Sequence, residues 1–431
     1  MTYIEAVAYL DAHVGLGVRP GLDRITRLLQ LMGDPHLEIP VIHIAGTNGK
    51  TTTALLVSAL ITGHGLTTGT FTSPHLETIE ERFRIDDEIA TEEEFAQSIA
   101  DVAPFADALE AEAGERPTYF ELTAAAAFAF FAERAVDVAV VEVGLGGRLD
   151  ATNVVRPEVA VVTTVGLDHT EYLGDTLERI AVEKLAIAKP GSVLITGELP
   201  DAVESIAEHH AAAEGLDRRA IERDFSVDES RLAVGGWVAS VDGLHGQYEE
   251  VYLPLHGRHQ VTNLAVAIAA TEAFFGRELD TDAVQEAIAE VQSPGRIEVV
   301  RHDPLVVIDG AHNEASMAVL AETLEYEFPD LAWTVIFGVL GDKDIESMLG
   351  HLEPRIGRLI VTEADSPRSI PVGQLAAMVR RSLPDIASVE VAATVPDAVV
   401  EAMGTTDADG AILVTGSLYV VGEARPHLTG R

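Results

Sequence analysis

Lysine is scarce in this chain, with four among 431 residues, at positions 50, 184, 189 and 343. Lys50 closes the run Gly46-Thr47-Asn48-Gly49-Lys50, and the hydroxyls of Thr51 and Thr52 follow it. Such a run suits phosphate. Glycines let backbone N–H groups turn toward phosphate oxygens, and a helix start adds partial positive charge. The ammonium neutralises the terminal phosphates, and a hydroxyl after it can meet Mg²⁺, for which Thr51 and Thr52 are both candidates. The loop is two residues shorter than G-x-x-x-x-G-K-[ST], because Ile44 stands where the first glycine would be. A tight glycine turn beside a solvated lysine is the structural alternative. The β-branched run before the loop and the helix-forming run after it favour the nucleotide site.

Where arginine carries nearly all other positive charge, a retained lysine suggests a task that arginine cannot perform, such as losing a proton or reacting covalently. Each retained lysine is a candidate for such a task, with chance survival the alternative, accepted for Lys189. Lys343, in Gly341-Asp342-Lys343-Asp344, has no role that its neighbours reveal. Further polar motifs repeat one pattern. Glu142 precedes the glycine loop Gly144-Leu145-Gly146-Gly147, and is either a hard-oxygen ligand for Mg²⁺ or the lead into a structural turn. His169, in Gly166-Leu167-Asp168-His169-Thr170, is either a neutral imidazole ligand or a hydrogen-bonded strand-end histidine. Asp309, in Asp309-Gly310-Ala311-His312-Asn313, suits ribose hydroxyls or an outer contact to a metal, and the fork of Arg296 suits phosphate. Each alone is equally a local cap or turn. Together they describe a Mg·ATP site straddling two domains.

These residues need elements to hold them. Short β-branched runs at 41–45, 136–143, 159–165 and 192–196, then at 305–309, 333–338, 358–363 and 411–415, read as buried strands. Helical-period segments at 122–132, 177–188, 261–275 and 316–326 lie between them. The alternation predicts α/β architecture with mostly parallel sheets. The 231–255 stretch alternates around Gly235-Gly236 and Asp242-Gly243, which predicts a small antiparallel region. Ser293-Pro294-Gly295 reads as the joint between an N-terminal P-loop ATPase-type domain, 1–293, and a C-terminal Rossmann-like domain, 294–431. The polar motifs fall at the C-terminal ends of strands, the edge where open α/β sheets bind ligands.

With 70 acidic against 29 basic residues, the formal charge is −41, spread along the chain. That argues against nucleic acid and anionic membrane as partners, since both need a basic surface. The balance resembles proteins adapted to high internal salt, and an anionic substrate would need local Arg, Lys and Mg²⁺ to reverse the field. No cysteine is present, so disulfides, thiolate nucleophiles and Cys-ligated zinc are excluded. Glu5 and Asp11 break any signal-peptide layout, and the apolar run at 122–132 is too short to span a bilayer at about 20 residues. A cytoplasmic protein is expected, and a monomer.

The runs Gly46–Lys50, Thr72-Ser73-Pro74-His75-Leu76, Thr118-Tyr119-Phe120-Glu121, 142–153, 166–171, Leu253-Pro254-Leu255, Pro294-Gly295-Arg296 and Val414-Thr415-Gly416-Ser417 occur in an order that resembles the folylpolyglutamate synthase/dihydrofolate synthase family. That family belongs to the Mur-ligase superfamily of ATP-dependent amide ligases. The resemblance covers nearly the whole chain. It implies that Thr47, Asn48, Gly49, Lys50, Thr51 and Thr52 hold ATP phosphates, with Asn263, Arg296, Asp309 and His312 also on ATP. Ser73 and Glu142 are implied as Mg²⁺ ligands with Thr51, and His169 and Lys184 as ligands around a second ion. Lys184 matches the lysine that becomes N6-carboxylysine. Thr118, Tyr119, Phe120 and Glu121, with Leu149, Asp150 and Ala151, are implied to line a pteroate pocket. Lys50, Lys184 and His169 are the implied catalytic residues.

Three segments depart from the family pattern. Thr51 replaces the usual glycine after the lysine, giving Gly-Lys-Thr-Thr as in Mur ligases proper. Lys184-Leu185-Ala186 replaces Lys-Ala-Gly, and Glu314 follows Asn313 where proline is common. The expected reaction joins L-glutamate to dihydropteroate or a folate through an acyl phosphate formed from ATP. A Mur-type ligase acting on a nucleotide-sugar acceptor is the alternative. A P-loop NTPase module or an inactive paralogue fits the intact charged motifs less well.

Overall fold

The computed structural model describes residues 1–341, 343–383 and 389–430, so Asp342, next to Lys343, lies outside the described residues. It forms two compact units. One comprises Met1–Arg231, Val238–Pro254 and Gln260–Val291; the other comprises Leu232–Trp237, Leu255–His259 and Gln292–Arg431.

The first unit is organised by β1 (Val41–Ala45), whose five residues are all buried because the strand is covered on both faces. It shares an eight-stranded sheet with β2 (Thr68–Phe71), β3 (Phe83–Ile85), β4 (Glu88–Ile89), β5 (Val138–Glu142), β6 (Val159–Val162), β7 (Val193–Thr196) and β8 (Asp217–Ala220), in the order β4-β3-β2-β5-β1-β6-β7-β8. Pairing is parallel from β2 to β8, while β3 and β4 add an antiparallel edge. The register positions the chemistry. Ile44 lies opposite Glu142 of β5, and Ala45 opposite Val162 of β6, so both neighbouring strands end beside the loop that leaves β1.

One face of this sheet packs on the Ala/Phe-rich helix Tyr119–Glu133, with Phe71, Phe83, Phe95, Phe128 and Phe131 in one core. Phe83 and Phe95 meet edge to face at 5.3 Å, the arrangement aromatic quadrupoles favour. The opposite face buries Ala45, Ala160, Val162 and Leu194 against Ile180, Ala181 and Leu185 of the helix Leu177–Leu185. The strand expected over 159–165 stops at Val162. Thr163 N still donates to Ala45 O of β1 at 2.9 Å, and at Thr164 the backbone turns to the phosphate loop, its carbonyl accepting from Thr47 N at 2.9 Å. A three-stranded sheet follows, made of β9 (Ser226–Ala233), β10 (Gly236–Asp242) and β11 (Gln247–Leu253) in the order β11-β10-β9. The two-residue turn Val234-Gly235 between β9 and β10 is the hairpin its glycines predict.

The second unit carries a six-stranded sheet of β12 (Glu298–His302), β13 (Leu305–Ile308), β14 (Trp333–Phe337), β15 (Ile356–Val361), β16 (Val389–Val391) and β17 (Ala411–Thr415), ordered β12-β13-β17-β14-β15-β16. Only β12 pairs antiparallel. Its core is Val307, Trp333, Phe337, Leu359 and Leu413 against Leu320, Met348 and Leu375. In this unit Glu327 accepts hydrogen bonds from Trp237 Nε1 at 2.8 Å and Gly257 N at 2.7 Å, which ties the outlying segments to it. Among the described residues no helix is long and apolar enough to cross a membrane.

Candidate active site

Between β1 and the helix Lys50–Gly63 the chain makes the glycine loop, and two contacts explain the glycines. A Cβ at Gly46 would sit 1.9 Å from Thr163 Oγ1, and one at Gly49, where φ is +84°, would sit 2.7 Å from Asn263 Oδ1. The loop is held from outside by the turn after β6. Asn48 O accepts from Thr163 Oγ1 at 2.6 Å and Thr164 Oγ1 at 3.2 Å, and Asn48 N donates to Thr164 Oγ1 at 3.0 Å. Thr47 N donates to Thr164 O at 2.9 Å, and Gly166 N donates to Thr47 Oγ1 at 2.9 Å. Thr163 and Thr164 therefore brace a loop that lacks the usual first glycine. Sequence reasoning passed over them, although paired threonines straight after a buried strand were a visible signal.

Two amines converge inside this loop. Lys50 Nζ donates to Gly46 O and Thr47 O, each at 3.1 Å, and Lys184 Nζ donates to the same Gly46 O at 2.8 Å. Lys184 is buried, 4% exposed, in the last turn of its helix. Burial, reinforced by the Lys50 ammonium, lowers its amine to about 7 against the opposing pull of Asp168, Asp150 and Glu183. A neutral, nucleophilic amine is thus accessible near neutral pH. Beside this pair, Glu142 Oε1 accepts from Thr51 Oγ1 at 3.0 Å and Glu142 Oε2 from Ser73 N at 3.1 Å. Ser73 Oγ is buried without a hydrogen-bond partner. Thr51, Ser73 and Glu142 thus gather hard oxygen atoms of the kind Mg²⁺ prefers, and they fit such an ion. Of the two threonines it is Thr51 whose hydroxyl meets Glu142; Thr52 is buried in the helix.

Other expected residues sit less centrally. His169 caps the short helix Thr170–Leu173 at a left-handed φ of 48°, with Nε2 4.0 Å from Asp168 Oδ2. Among the described residues, no three His, Asp or Glu side chains are grouped to hold a metal ion. Asp150 is buried and serves its own loop, accepting from Leu145 N at 2.8 Å, Thr152 N at 3.0 Å and Thr152 Oγ1 at 2.5 Å. Burial raises its pKa while those hydrogen bonds oppose the rise. Leu149 is exposed beside it, and Ala151 is buried.

Thr118 and Glu121 form the capping box of the helix Tyr119–Glu133, and Glu121 also pairs with Arg24 at 3.1 Å. The Thr-x-x-Glu spacing is the local signal for such a cap, which the expected pocket role had passed over. Tyr119 lies beneath the Arg82 guanidinium at 5.5 Å, and the Phe120 ring fills the space where a Cβ at Gly144 would fall, 2.4 Å away. Arg82 Nε donates to His75 Nδ1 at 3.0 Å, and burial with that neighbouring charge lowers His75 to about 3, so the ring stays neutral. Arg82 and His75 are a second pair whose role the sequence did not reveal.

In the second unit, Asp309 follows β13 and accepts from Ala311 N at 2.8 Å and Ile297 N at 2.9 Å. Burial raises its pKa, countered first by Arg296. His312 Nδ1 is 2.8 Å from Gly310 O.

Two family models cover the chain: the Mur ligase middle domain matches residues 44–271, and the Mur ligase glutamate ligase domain matches 295–418. A dihydrofolate synthase/folylpolyglutamate synthase of Mycobacterium tuberculosis is 40% identical over 95% of this chain and 90% of its own length. The solved Mycobacterium tuberculosis folylpolyglutamate synthase complexed with ADP superposes with a TM-score of 0.94 at 39% identity, covering 100% of this chain and 98% of that one. A solved FPGS–AMPPCP–folate complex gives 0.85 at 31% identity, over 99% of this chain and 100% of that one. With both halves matched by ligase models and relatives aligned along nearly their full length, the chain belongs to the folylpolyglutamate synthase/dihydrofolate synthase family of Mur ligases.

Proposed function

We infer that this protein is an ATP-dependent carboxylate–amine ligase that joins L-glutamate to dihydropteroate, to a folate, or to both. The observation that carries the reading is the convergence of Lys50 and Lys184 on the Gly46 carbonyl, beside a Glu142 that holds Thr51 and Ser73. ATP and the acceptor carboxylate are both anionic, and the chain is acidic throughout, so charge must be reversed locally. Lys50 supplies a fixed positive charge to the phosphates, and backbone N–H groups at the start of the helix Lys50–Gly63 add to it. A carboxylate oxygen of the acceptor attacks the γ-phosphorus of ATP, releasing ADP and forming an acyl phosphate. The glutamate amine then attacks the acyl carbon, the amide forms, and inorganic phosphate leaves with the proton lost to solvent. Thr51, Ser73 and Glu142 would hold Mg²⁺, which when bound screens the charge on the transferring phosphoryl group.

Lys184, as the neutral amine, would take up CO₂ to give a carbamate and release a proton. That exchanges a cation for the hard oxygens a second ion prefers. His169 would join that second ion, and Asn263, Arg296, Asp309 and His312 would contact the nucleotide. The segments Thr118–Glu121 and Leu149–Ala151 would shape the pteroate pocket. Residues 1–293 would form the part that binds ATP and pterin, and 294–431 the glutamate-ligase part. The enzyme would act as a cytoplasmic monomer on small molecules.

The test is ADP release with dihydropteroate, tetrahydrofolate or a nucleotide-sugar acceptor, each with and without glutamate. Release that needs glutamate together with either pterin is the expected result. Release stimulated by the nucleotide-sugar acceptor alone would make the Gly-Lys-Thr-Thr departure the better guide, and glutamate-independent release would indicate an NTPase.

A further inference from the structure

A short chain of hydrogen bonds joins the strand beneath the phosphate loop to the loop that follows Glu142. His43 lies in β1 with no exposed surface, and its Nε2 is 2.8 Å from Thr152 Oγ1. Thr152 Oγ1 donates to Asp150 Oδ1 at 2.5 Å. Asp150 also receives the N–H groups of Thr152 and Leu145, so the carboxylate acts as an acceptor throughout. The Thr152 hydroxyl hydrogen therefore points to Asp150, and its oxygen accepts from His43. The ring is fixed as the Nε2–H tautomer, and its Nδ1 is left buried without a hydrogen-bond partner. An orphaned ring nitrogen costs free energy that an apolar side chain such as Ile42 or Ile44, its neighbours in β1, does not. Stability alone gives no reason for histidine at 43.

The far end of the chain reaches the loop between Glu142 and the backbone at Lys184. Asp150 gathers a loop softened by Gly144, Gly146 and Gly147, which leaves β5 directly after Glu142. In its middle the loop rests on the backbone that carries Lys184: Arg148 N donates to Glu183 O at 2.8 Å, and a Cβ at Gly147 would lie 2.4 Å from Glu183 O and 3.1 Å from Lys184 Cα. Asn153 Nδ2 closes the far side by donating to Arg148 O at 3.0 Å. We propose that His43 is a positioning residue for the ligase reaction, acting through Thr152 and Asp150 to fix the glycine loop that sets Lys184 against Glu142. The proposal rests on the ligase reading above. His43 touches no substrate in this role; it sets the geometry of groups that do.

The test compares wild type with His43→Leu, His43→Gln, Thr152→Val and the double variant His43→Leu/Thr152→Val. Three measurements are made on each: hydrogen exchange of the Leu145 and Thr152 amides, ADP binding, and steady-state ADP release. In His43→Leu and Thr152→Val those amides exchange faster and kcat falls, on the scale of about 10- to 100-fold known for outer-shell partners, while ADP affinity is unchanged. His43→Gln restores most of both, because its amide Nε2–H reproduces the donor. The double variant is no worse than either single variant, as expected for links of one chain. Wild-type exchange and kcat in Thr152→Val would overturn the proposal, as would additive losses in the double variant or a His43→Gln no better than His43→Leu. Should His43→Leu not fold, Thr152→Val and His43→Gln decide the matter. If wild type shows no turnover dependent on glutamate and a pterin, the ligase reading fails, and the exchange measurements still judge the mechanical link.

Discussion

Single residues explain why charge and burial are arranged as they are in the first unit. Lys50 is engaged by the carbonyls of its own loop, at the start of a helix whose core-facing residues lie further along. Lys50→Ala should therefore keep the thermal transition of wild type while turnover falls by about 10²-fold or more, the scale of losing one electrostatic catalytic group. Near-normal ADP release by that variant would remove Lys50 from the phosphate site. Lys184 differs because it is buried and its amine is lowered to about 7. Lys184→Ala should be nearly inactive, and a small carboxylate in the buffer should restore part of the activity by filling the place of the carbamate. Full activity in Lys184→Ala without any additive would rule the modification out.

His43 provides a pH prediction whose sign is fixed by burial. Its folded pKa of about 3 lies below the ordinary value, so the unfolded chain binds the extra proton. Stability is then unaffected above about pH 6.5, and is lost as pH falls toward 3. By pH 5 the cost from His43 is about 2 kcal/mol. Urea unfolding at pH 7 and pH 5 should show wild type losing about that much more than His43→Gln. Equal losses in the two proteins would show that the ring is protonated in the fold.

Among the elements, strands proved easier to read than the turns that leave them. The β-branched runs at 41–45 and 411–415 fold as β1 and β17, since continuous apolar runs have few other places to go in an α/β protein. The run at 159–165 ends as a strand at Val162, and past Thr163, which still donates to Ala45 O, the Thr164 carbonyl accepts from Thr47 N of the phosphate loop. Glycine positions show how closely elements meet. Gly147 lies where the loop after β5 touches the helix Leu177–Leu185, and any Cβ there would strike the backbone oxygen of Glu183 at 2.4 Å. Gly147→Ala should cost about 1–3 kcal/mol, the usual price of overpacking. Its effect on kcat should be larger, because the Lys184 backbone is what must shift. Denaturant unfolding set beside ADP release checks the split; loss of stability with kcat intact would mean that the loop moves and the helix does not.

Across the whole molecule the dominant quantity is a formal charge of −41, which makes the folded state repel itself. Raising KCl from about 0.1 M to about 1 M shortens the screening length from about 10 Å to about 3 Å, so the melting temperature should rise by several degrees. A melting temperature that fell with salt would show that the surface ion pairs, such as Arg148–Glu183, outweigh the net repulsion.

The α/β class, the strand–loop–helix around Lys50 and the kind of ligand that loop suits were all legible along the chain. Each of these depends on residues close together in the chain: a β-branched run, two glycines, a lysine and hydroxyls. The sequence also singled out Glu142, Ser73 and Lys184, through scarce residue types and family-like order. Which atoms meet was set by the folded arrangement of the strands. That Lys50 and Lys184, 134 positions apart in sequence, share one carbonyl follows from the placement of β5 and β6 on either side of β1, and sheet order is not written in any local run. The same holds for Thr163 beneath Asn48, for Thr51 rather than Thr52 on Glu142, and for the link from His43 to Asp150. Long-range pairing sets these contacts, because a side chain's partners across a sheet are chosen by the strands that flank it and not by its neighbours along the chain.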